Sequence, residues 1–268
     1  MAHSGPQPHG RPAAARRAGT GGRGPSLGIG IIGAGRVGPV LGVALAGAGH
    51  AITGIAAVSE RNRDRARAML PEVPILEIPE LVERSELVIL AIPEGEIESL
   101  VAGLAATGAW QPGQLVLHTA AGLGYSALAP AVAAGVIPLA IHPAMVFTGT
   151  SLDLVRLRES YCAVTAPTPV LPIGQALVVE MGAEPFIIAE ADRPTYGEAV
   201  ATATSFSASI VNQAVQLLAG LDIESPGSVL APLVRSSVET ALASASPATI
   251  DLTSFGVDDP GRNELEAP

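Results

Sequence analysis

The chain has 268 residues, enough for one large domain or two modest ones. Its net charge of −10 argues against nucleic acid as a partner, and the single Cys162 excludes an internal disulfide and any multi-cysteine metal site. All 15 Lys+Arg residues are arginine, which excludes P-loop nucleotide hydrolysis, Schiff-base chemistry and any lysine acid or base.

Residues 1–26 are rich in Gly, Pro, Ala and Arg without apolar periodicity, and read as a disordered tail. Arg16-Arg17 could open a twin-arginine export signal, but the apolar segment after it is better explained as a buried strand. That segment, LGIGII (27–32), runs into GAGRVG and then VLGVALAGAGH, which has helical spacing. HAITGIAAVS reads as a second strand and ERNRDRARAML as a second helix. LVILAIP (87–93), QLVLHTA (114–120) and VIPLAIHP (136–143) are further strands, followed by YCAVTA (161–166) and PFIIAE (185–190) around a helix, QALVVEMGA. From Arg193 to Leu221, and from Gly227 to about Ala245, only helical spacing remains.

This order predicts an α/β fold: a doubly wound, mostly parallel Rossmann-like sheet over residues 27–191, then a smaller all-α domain over 192–246 and a polar tail at 247–268. No apolar run is long enough for a membrane span. Five histidines without cysteine or acid spacing make no metal site, and no G-x-S-x-G elbow is present. The expected location is the cytoplasm, with no membrane or nucleic-acid partner.

Gly33, Gly35 and Gly38 spell G-x-G-x-x-G between a strand and a helix, the pattern that cradles a dinucleotide pyrophosphate; Arg36 and Val37 lie in the same loop. At the end of the second strand an NAD site usually carries an acid, whereas an NADP site carries hydroxyl and arginine for the 2′-phosphate. Ser59 and Arg61, with Arg63 as a second contact, favour NADP(H); Glu60 is the competing reading, since it could take the ribose hydroxyls.

Ligands bind beyond the carboxyl ends of parallel strands. Ile92, Pro93 and Thr119 are therefore expected beneath the nicotinamide ribose. His118 and His142, at strand ends, are candidate proton donors, with bonding to loop backbone as the plain alternative. Tyr196 is a third donor, with Glu198 on the same turn. Arg235, Ser236 and Ser237 interrupt an apolar helix and could hold a substrate carboxylate, unless Arg235 pairs with Glu239.

Together with the glycine loop, the stretches VSERNR, LAIPEGEI, LHTAAG and AIHPAMVF give the chain a family look, as do EADRPTYGEAVATATSFSASIV and LAPLVRSSVETAL. It resembles the oxidoreductases that join a Rossmann-like domain to a C-terminal helical domain of unknown function. These are related to pyrroline-5-carboxylate reductase and to an alternative class of ketopantoate reductases. The resemblance covers roughly residues 27–245. It implies a homodimer in which the helical domain closes the active site. It also implies an NADPH-dependent reductase of a small 2-oxo acid, ketopantoate before pyrroline-5-carboxylate, or of a cyclic imine. Many members carry His after the helix-starting tyrosine and Asn further along; here those places hold Gly197 and Ser205 or Thr204. A His–Asn pair is therefore not carried over, and Ser205 is assigned to substrate contact. The rival expectation is a non-catalytic NADP-binding sensor or assembly subunit.

Overall fold

A computed structural model describes residues 26–221 and 223–245. Both expected tails fall outside the described residues except for Ser26. The chain forms two compact units, Met1–Val200 and Ala201–Pro268.

The first unit is built on a seven-stranded sheet of order β2-β1-β3-β4-β5-β6-β7. The strands are β1 (Gly28–Ile32), β2 (Ala51–Ala56), β3 (Leu87–Leu90), β4 (Leu115–His118), β5 (Ile137–Pro143), β6 (Tyr161–Thr165) and β7 (Glu184–Ile187). All neighbours pair in parallel except β5 and β6, which are antiparallel. The helices that precede and follow strands are α1 (Gly38–Ala48), α2 (Glu60–Met69), α3 (Ile78–Glu83), α4 (Glu94–Ala106), α5 (Ala129–Val132), α6 (Leu152–Arg158) and α7 (Leu171–Glu180).

Strand residues alternate between two apolar layers, as a sheet covered on both faces requires. Ile29, Ile31, Leu87, Ile89, Leu117 and Leu139 join one core with Leu41 and Leu45 of α1. Val88, Leu90 and Val116 join the other with Ile97 and Val101 of α4. Cys162 belongs to the first core and is fully buried, which pushes its thiol up to about 12. Alkylation of the native protein at pH 8 is therefore expected to run at least ~100-fold slower than in urea, because the thiolate is the reactive form. Equal rates would show that β6 opens readily.

The strand order reverses between β1 and β3, and a crevice forms beyond the carboxyl ends at such a point. The register lines up Ala56, Ile32, Leu90, His118 and Ala140 along that edge. β5 continues past this row to Pro143, which lifts His142 beyond the edge.

α8 (Arg193–Ala201) follows β7 and lies almost wholly in the first unit. From sequence it was grouped with the later helices; its anchor is the buried side chain of Arg193. The second unit contains a π-helical turn (Thr202–Phe206), α9 (Ser207–Ala219) and α10 (Pro226–Ala245). Among its described residues none is buried, and Phe206, Ile210, Leu217, Leu233 and Leu242 are exposed apolar side chains. No described helix is long and apolar enough to cross a membrane.

Candidate functional site

The three loop glycines differ in what surrounds them. Gly33 has φ 108° and lies against the Ala91 carbonyl, so a side chain there is excluded both by backbone conformation and by contact. Gly38 lies against the Gly33 carbonyl, with Ile31 2.9 Å from where a Cβ would stand. Gly35, by contrast, has no protein atom within 4 Å of that point. It lines a cavity of about 970 Å³ shared by Gly33, Ala57, Asn62, Arg63, Ile92 and Pro93. α1 starts immediately after, with no side chain capping its N-terminus. Open space at the middle glycine, tight walls at the outer two and an uncapped helix end fit a dinucleotide pyrophosphate.

At the far end of this cavity the helix phase decides which side chains face in. Ser59 caps α2, accepting from the Asn62 N–H at 3.3 Å. That start turns Asn62 and Arg63 to the cavity and leaves Ser59 and Arg61 exposed outside its lining. Arg63 donates from Nε to the Ala57 carbonyl at 3.2 Å. Glu60 turns onto its own helix, 3.1 Å from Arg67 and 3.6 Å from Arg63. Arg65, which the sequence did not single out, reaches from α2 to the phosphate loop, where it lies 3.5 Å from the Ala34 carbonyl.

A smaller pocket of about 280 Å³ adjoins the loop, lined by Arg36, Val37, Thr119, His142, Met145 and Phe147 among others. The chain just after Phe147 is held by Asp153, fully buried, which accepts from Thr148 N–H at 2.8 Å, Thr148 Oγ1 at 2.9 Å and Gly149 N–H at 2.7 Å. Burial alone would raise the Asp153 carboxyl; the bonds from Gly149 and Thr148 outweigh it and hold the pKa below the ordinary range.

Two expected proton donors meet behind the lining of this pocket, to which His142 belongs and Tyr196 does not. His142 Nδ1 and the Tyr196 hydroxyl are 2.9 Å apart, with the rings edge to face at 5.6 Å. Phe186 packs against the other side of Tyr196, 5.9 Å between ring centres. Burial, helped by the nearby Arg193 charge, pulls His142 down to about 4, so the imidazole is neutral at physiological pH. Burial raises the Tyr196 phenol against the opposing pull of Arg193, so it keeps its proton.

His118 is not part of this pair and lines neither cavity. It is fully buried at the end of β4, and its Nε2 bonds the Gly124 carbonyl at 2.9 Å, which anchors the following loop. The expectation of a catalytic His118 is corrected to the plain alternative: β4 stops at the edge row, whereas β5 carries His142 past it.

From sequence Arg193 is expected to do no more than start the long helix. It is instead fully buried beneath Tyr196, with its guanidinium carbon 5.8 Å from the ring centre. Nε donates to Thr165 Oγ1 at 2.7 Å, and Nη2 to the Ala140 and Ala163 carbonyls at 2.7 and 3.0 Å. Nη1 reaches the Ala120 and Ala121 carbonyls, both at 3.4 Å. The fork thus ties β5, β6 and the loop after β4 to the start of α8. Gly197 belongs to the same junction: a Cβ there would stand 2.5 Å from Gly122 Cα and 2.9 Å from Gly122 N. A side chain after Tyr196, histidine included, would therefore meet the Gly122 backbone.

Arg235, Ser236 and Ser205 lie in the second unit and are exposed. Among the described residues Arg235 forms no ion pair, so the expected alternative with Glu239 is not made, while Ser236 bonds its own helix at the Leu233 carbonyl, 3.0 Å away. No group of three or more His, Cys, Asp or Glu among the described residues could hold a metal ion.

Comparison with known proteins agrees with this architecture. Residues 14–143 match a Rossmann-like domain, and residues 160–250 match a domain of unknown function, DUF2520. The chain combines a Rossmann-like domain with a C-terminal DUF2520 domain. No curated protein matches it in sequence. Among solved structures it is similar to a candidate NADP oxidoreductase from Bacteroides fragilis, with 18% identity over 80% of each chain and a TM-score of 0.66. It is also similar to 1-pyrroline-5-carboxylate reductase from Streptococcus pyogenes, with 20% identity over 89% of this chain and 87% of that one and a TM-score of 0.61. An imine reductase from a Pseudomonas species gives 14% identity over 82% and 76%, with a TM-score of 0.60.

Proposed function

We propose that the chain is an NADPH-dependent reductase of a small carbonyl or imine compound bearing a carboxylate, with a ketopantoate-like 2-oxo acid as first candidate. The observation that carries this reading is the His142–Tyr196 pair, 2.9 Å apart, whose histidine lines a pocket that shares the glycine loop with the larger cavity. Bound NADPH would supply the hydride. Gly33, Gly35 and Gly38 would cradle its pyrophosphate, and Asn62 with Arg63 would face its adenosine end. Tyr196 would donate the proton, and neutral His142 would orient the phenol and return the proton to it from solvent. Ile92, Pro93 and Thr119 would border the reacting ring.

The test is turnover of NADPH with a panel of 2-oxo acids and cyclic imines. Oxidation of NADPH with at least one class is expected. Tight NADPH binding with no turnover of any panel member would overturn the reading in favour of a non-catalytic NADP-binding subunit.

Cofactor preference follows from the adenosine end. NADPH is expected to bind at least tenfold more tightly than NADH, about 1.4 kcal/mol. Arg63→Ala should erase most of that gap and Arg61→Ala a smaller part, because only Arg63 lines the cavity. Equal affinities in the unmodified protein would hand the ribose to Glu60.

The reading extends to a homodimer, supported by the exposed apolar side chains of α9 and α10. Arg235, with Ser236 and Ser205, is assigned to the substrate carboxylate because its guanidinium is exposed and unpaired among the described residues. Arg235→Met is expected to raise substrate KM by about 30-fold, roughly 2 kcal/mol for a charge-assisted contact, with NADPH affinity within a factor of about two. Loss of the dimer without a change in KM would make Arg235 structural.

A further inference from the structure

Carbonyl and imine reduction ask opposite things of a pocket. A carbonyl enters neutral and develops negative charge on oxygen as hydride arrives; an imine accepts hydride well only once protonated, and therefore enters as a cation. The charges around the Tyr196 hydroxyl can be counted. The smaller pocket is lined by one cation, Arg36, and by neutral His142 and Thr119, with no carboxylate in its lining. Behind Tyr196 lies Arg193, fully buried, whose bonds all go to backbone carbonyls and the Thr165 hydroxyl. Among the described residues no carboxylate forms an ion pair with it. The nearby acid Glu190 accepts from the Tyr125 and Ser126 N–H groups, both at 2.9 Å, and its charge offsets part of that of Arg193. Glu94 likewise accepts from Gly122 N–H at 3.3 Å.

We propose that the reacting group of the substrate is a neutral carbonyl and not a protonated imine, and that Arg193 is the positioning residue that sets this choice. The inference rests on the reductase reading above. Arg193 acts in two ways. Its fork fixes α8 and hence the Tyr196 hydroxyl against His142. Its charge, held in no ion pair and only partly offset by Glu190, favours negative charge at the carbonyl oxygen and opposes positive charge in the same place. His142 reports the field: burial and Arg193 together already keep this neighbouring imidazole uncharged.

The step balances as follows. A hydride from the nicotinamide cofactor forms a C–H bond at the carbonyl carbon, and the C–O π pair moves to oxygen. The Tyr196 O–H bond breaks and its proton forms the new O–H bond. The phenolate then recovers a proton from water through His142, whose ring gains one at Nε2 and gives one up at Nδ1. The sum is carbonyl, NADPH and one proton to alcohol and NADP⁺.

The experiment has three arms on the full chain. Turnover of 2-oxovalerate is compared with that of 1-pyrroline-2-carboxylate, two five-carbon acids whose carboxylate-bearing carbon is C=O in one and cyclic C=N in the other. Binding of their reduced forms, 2-hydroxyvalerate and proline, is measured calorimetrically with and without NADP⁺. The His142 titration is followed by NMR in the cofactor-free protein and in Arg193→Lys and Arg193→Met. The oxo acid is expected to exceed the imine by about tenfold or more in kcat/KM, and the hydroxy acid to bind about tenfold more tightly than proline, 1.4 kcal/mol. Arg193→Lys should keep the low His142 pKa, and Arg193→Met should raise it and narrow both preferences. Equal or better handling of the imine and proline by the unmodified protein would overturn the proposal, as would an unchanged His142 pKa in folded Arg193→Met. Should Arg193→Met not fold, the comparisons in the unmodified protein decide. Absence of any turnover counts against the reductase reading alone, because the binding arm still decides which charge the pocket accepts.

Discussion

Replacing Tyr196 with Phe is expected to lower kcat by about 100- to 1000-fold, in the range lost when a positioned proton donor is removed. Phenylalanine keeps the ring and thus the packing against His142, Phe186 and Arg193, so the substitution removes the hydroxyl and little else. KM and NADPH affinity should change by less than about threefold, since the hydroxyl acts chiefly in the transition state. Stability should fall by about 1 kcal/mol, the usual worth of one hydrogen bond, here to His142 Nδ1. Steady-state kinetics and a melting curve separate these effects. A variant that retains kcat would move the proton donor away from α8.

The second large effect is on stability in acid. His118 is held at about 4 by burial, against the bond to Gly124, and His142 at about 4 by burial with help from Arg193. In the unfolded chain each takes up its proton as pH falls through about 6.5, whereas the folded chain resists until about 4. Between these values the unfolded state holds more protons, so stability falls with pH by up to about 1.4 kcal/mol per unit for each histidine. By pH 4 the two together remove roughly 6 kcal/mol, comparable with the whole stability of an ordinary domain. Above about pH 7 both contributions are fully present. Denaturant titrations from pH 8 to 4 should show a limiting slope near two protons, reduced to about one in His142→Gln. Asp153 works in a separate window: its lowered pKa adds a loss only as its carboxyl protonates, below the ordinary carboxylate range. A pH-independent stability across 6.5 to 4 would mean that both rings are reached by water.

The strands could be read from sequence because each is a short apolar run closed by glycine, proline or a polar turn. Their order could be read less well. The antiparallel pairing of β5 with β6 leaves no mark on either run, since direction does not alter the side-chain pattern. α3 and α6 are too short, at 6 and 7 residues, to display a helical period. The glycine loop was legible as geometry because each glycine answers a distinct steric demand. The choice between Arg61 and Arg63 was not, because it turns on the residue where α2 begins, and Ser59 fixes that start. Tyr196 and His142 were each visible as candidates, but 54 residues separate them and only the overrun of β5 brings them together. Arg193 reads from sequence as no more than a helix start, because nothing local marks its burial; its fork is satisfied by carbonyls within β5 and β6 and in the loop after β4.

The contact between Gly197 and Gly122 limits what substitution can do at the start of α8. With backbone against backbone at this point, a single codon change that gave Gly197 a side chain would have to push α8 off the 120–124 loop. That would carry Tyr196 away from His142. Position 197 and the 120–124 loop therefore constrain each other, and the imidazole beside the tyrosine comes from the sheet, where β5 supplies it without touching that contact.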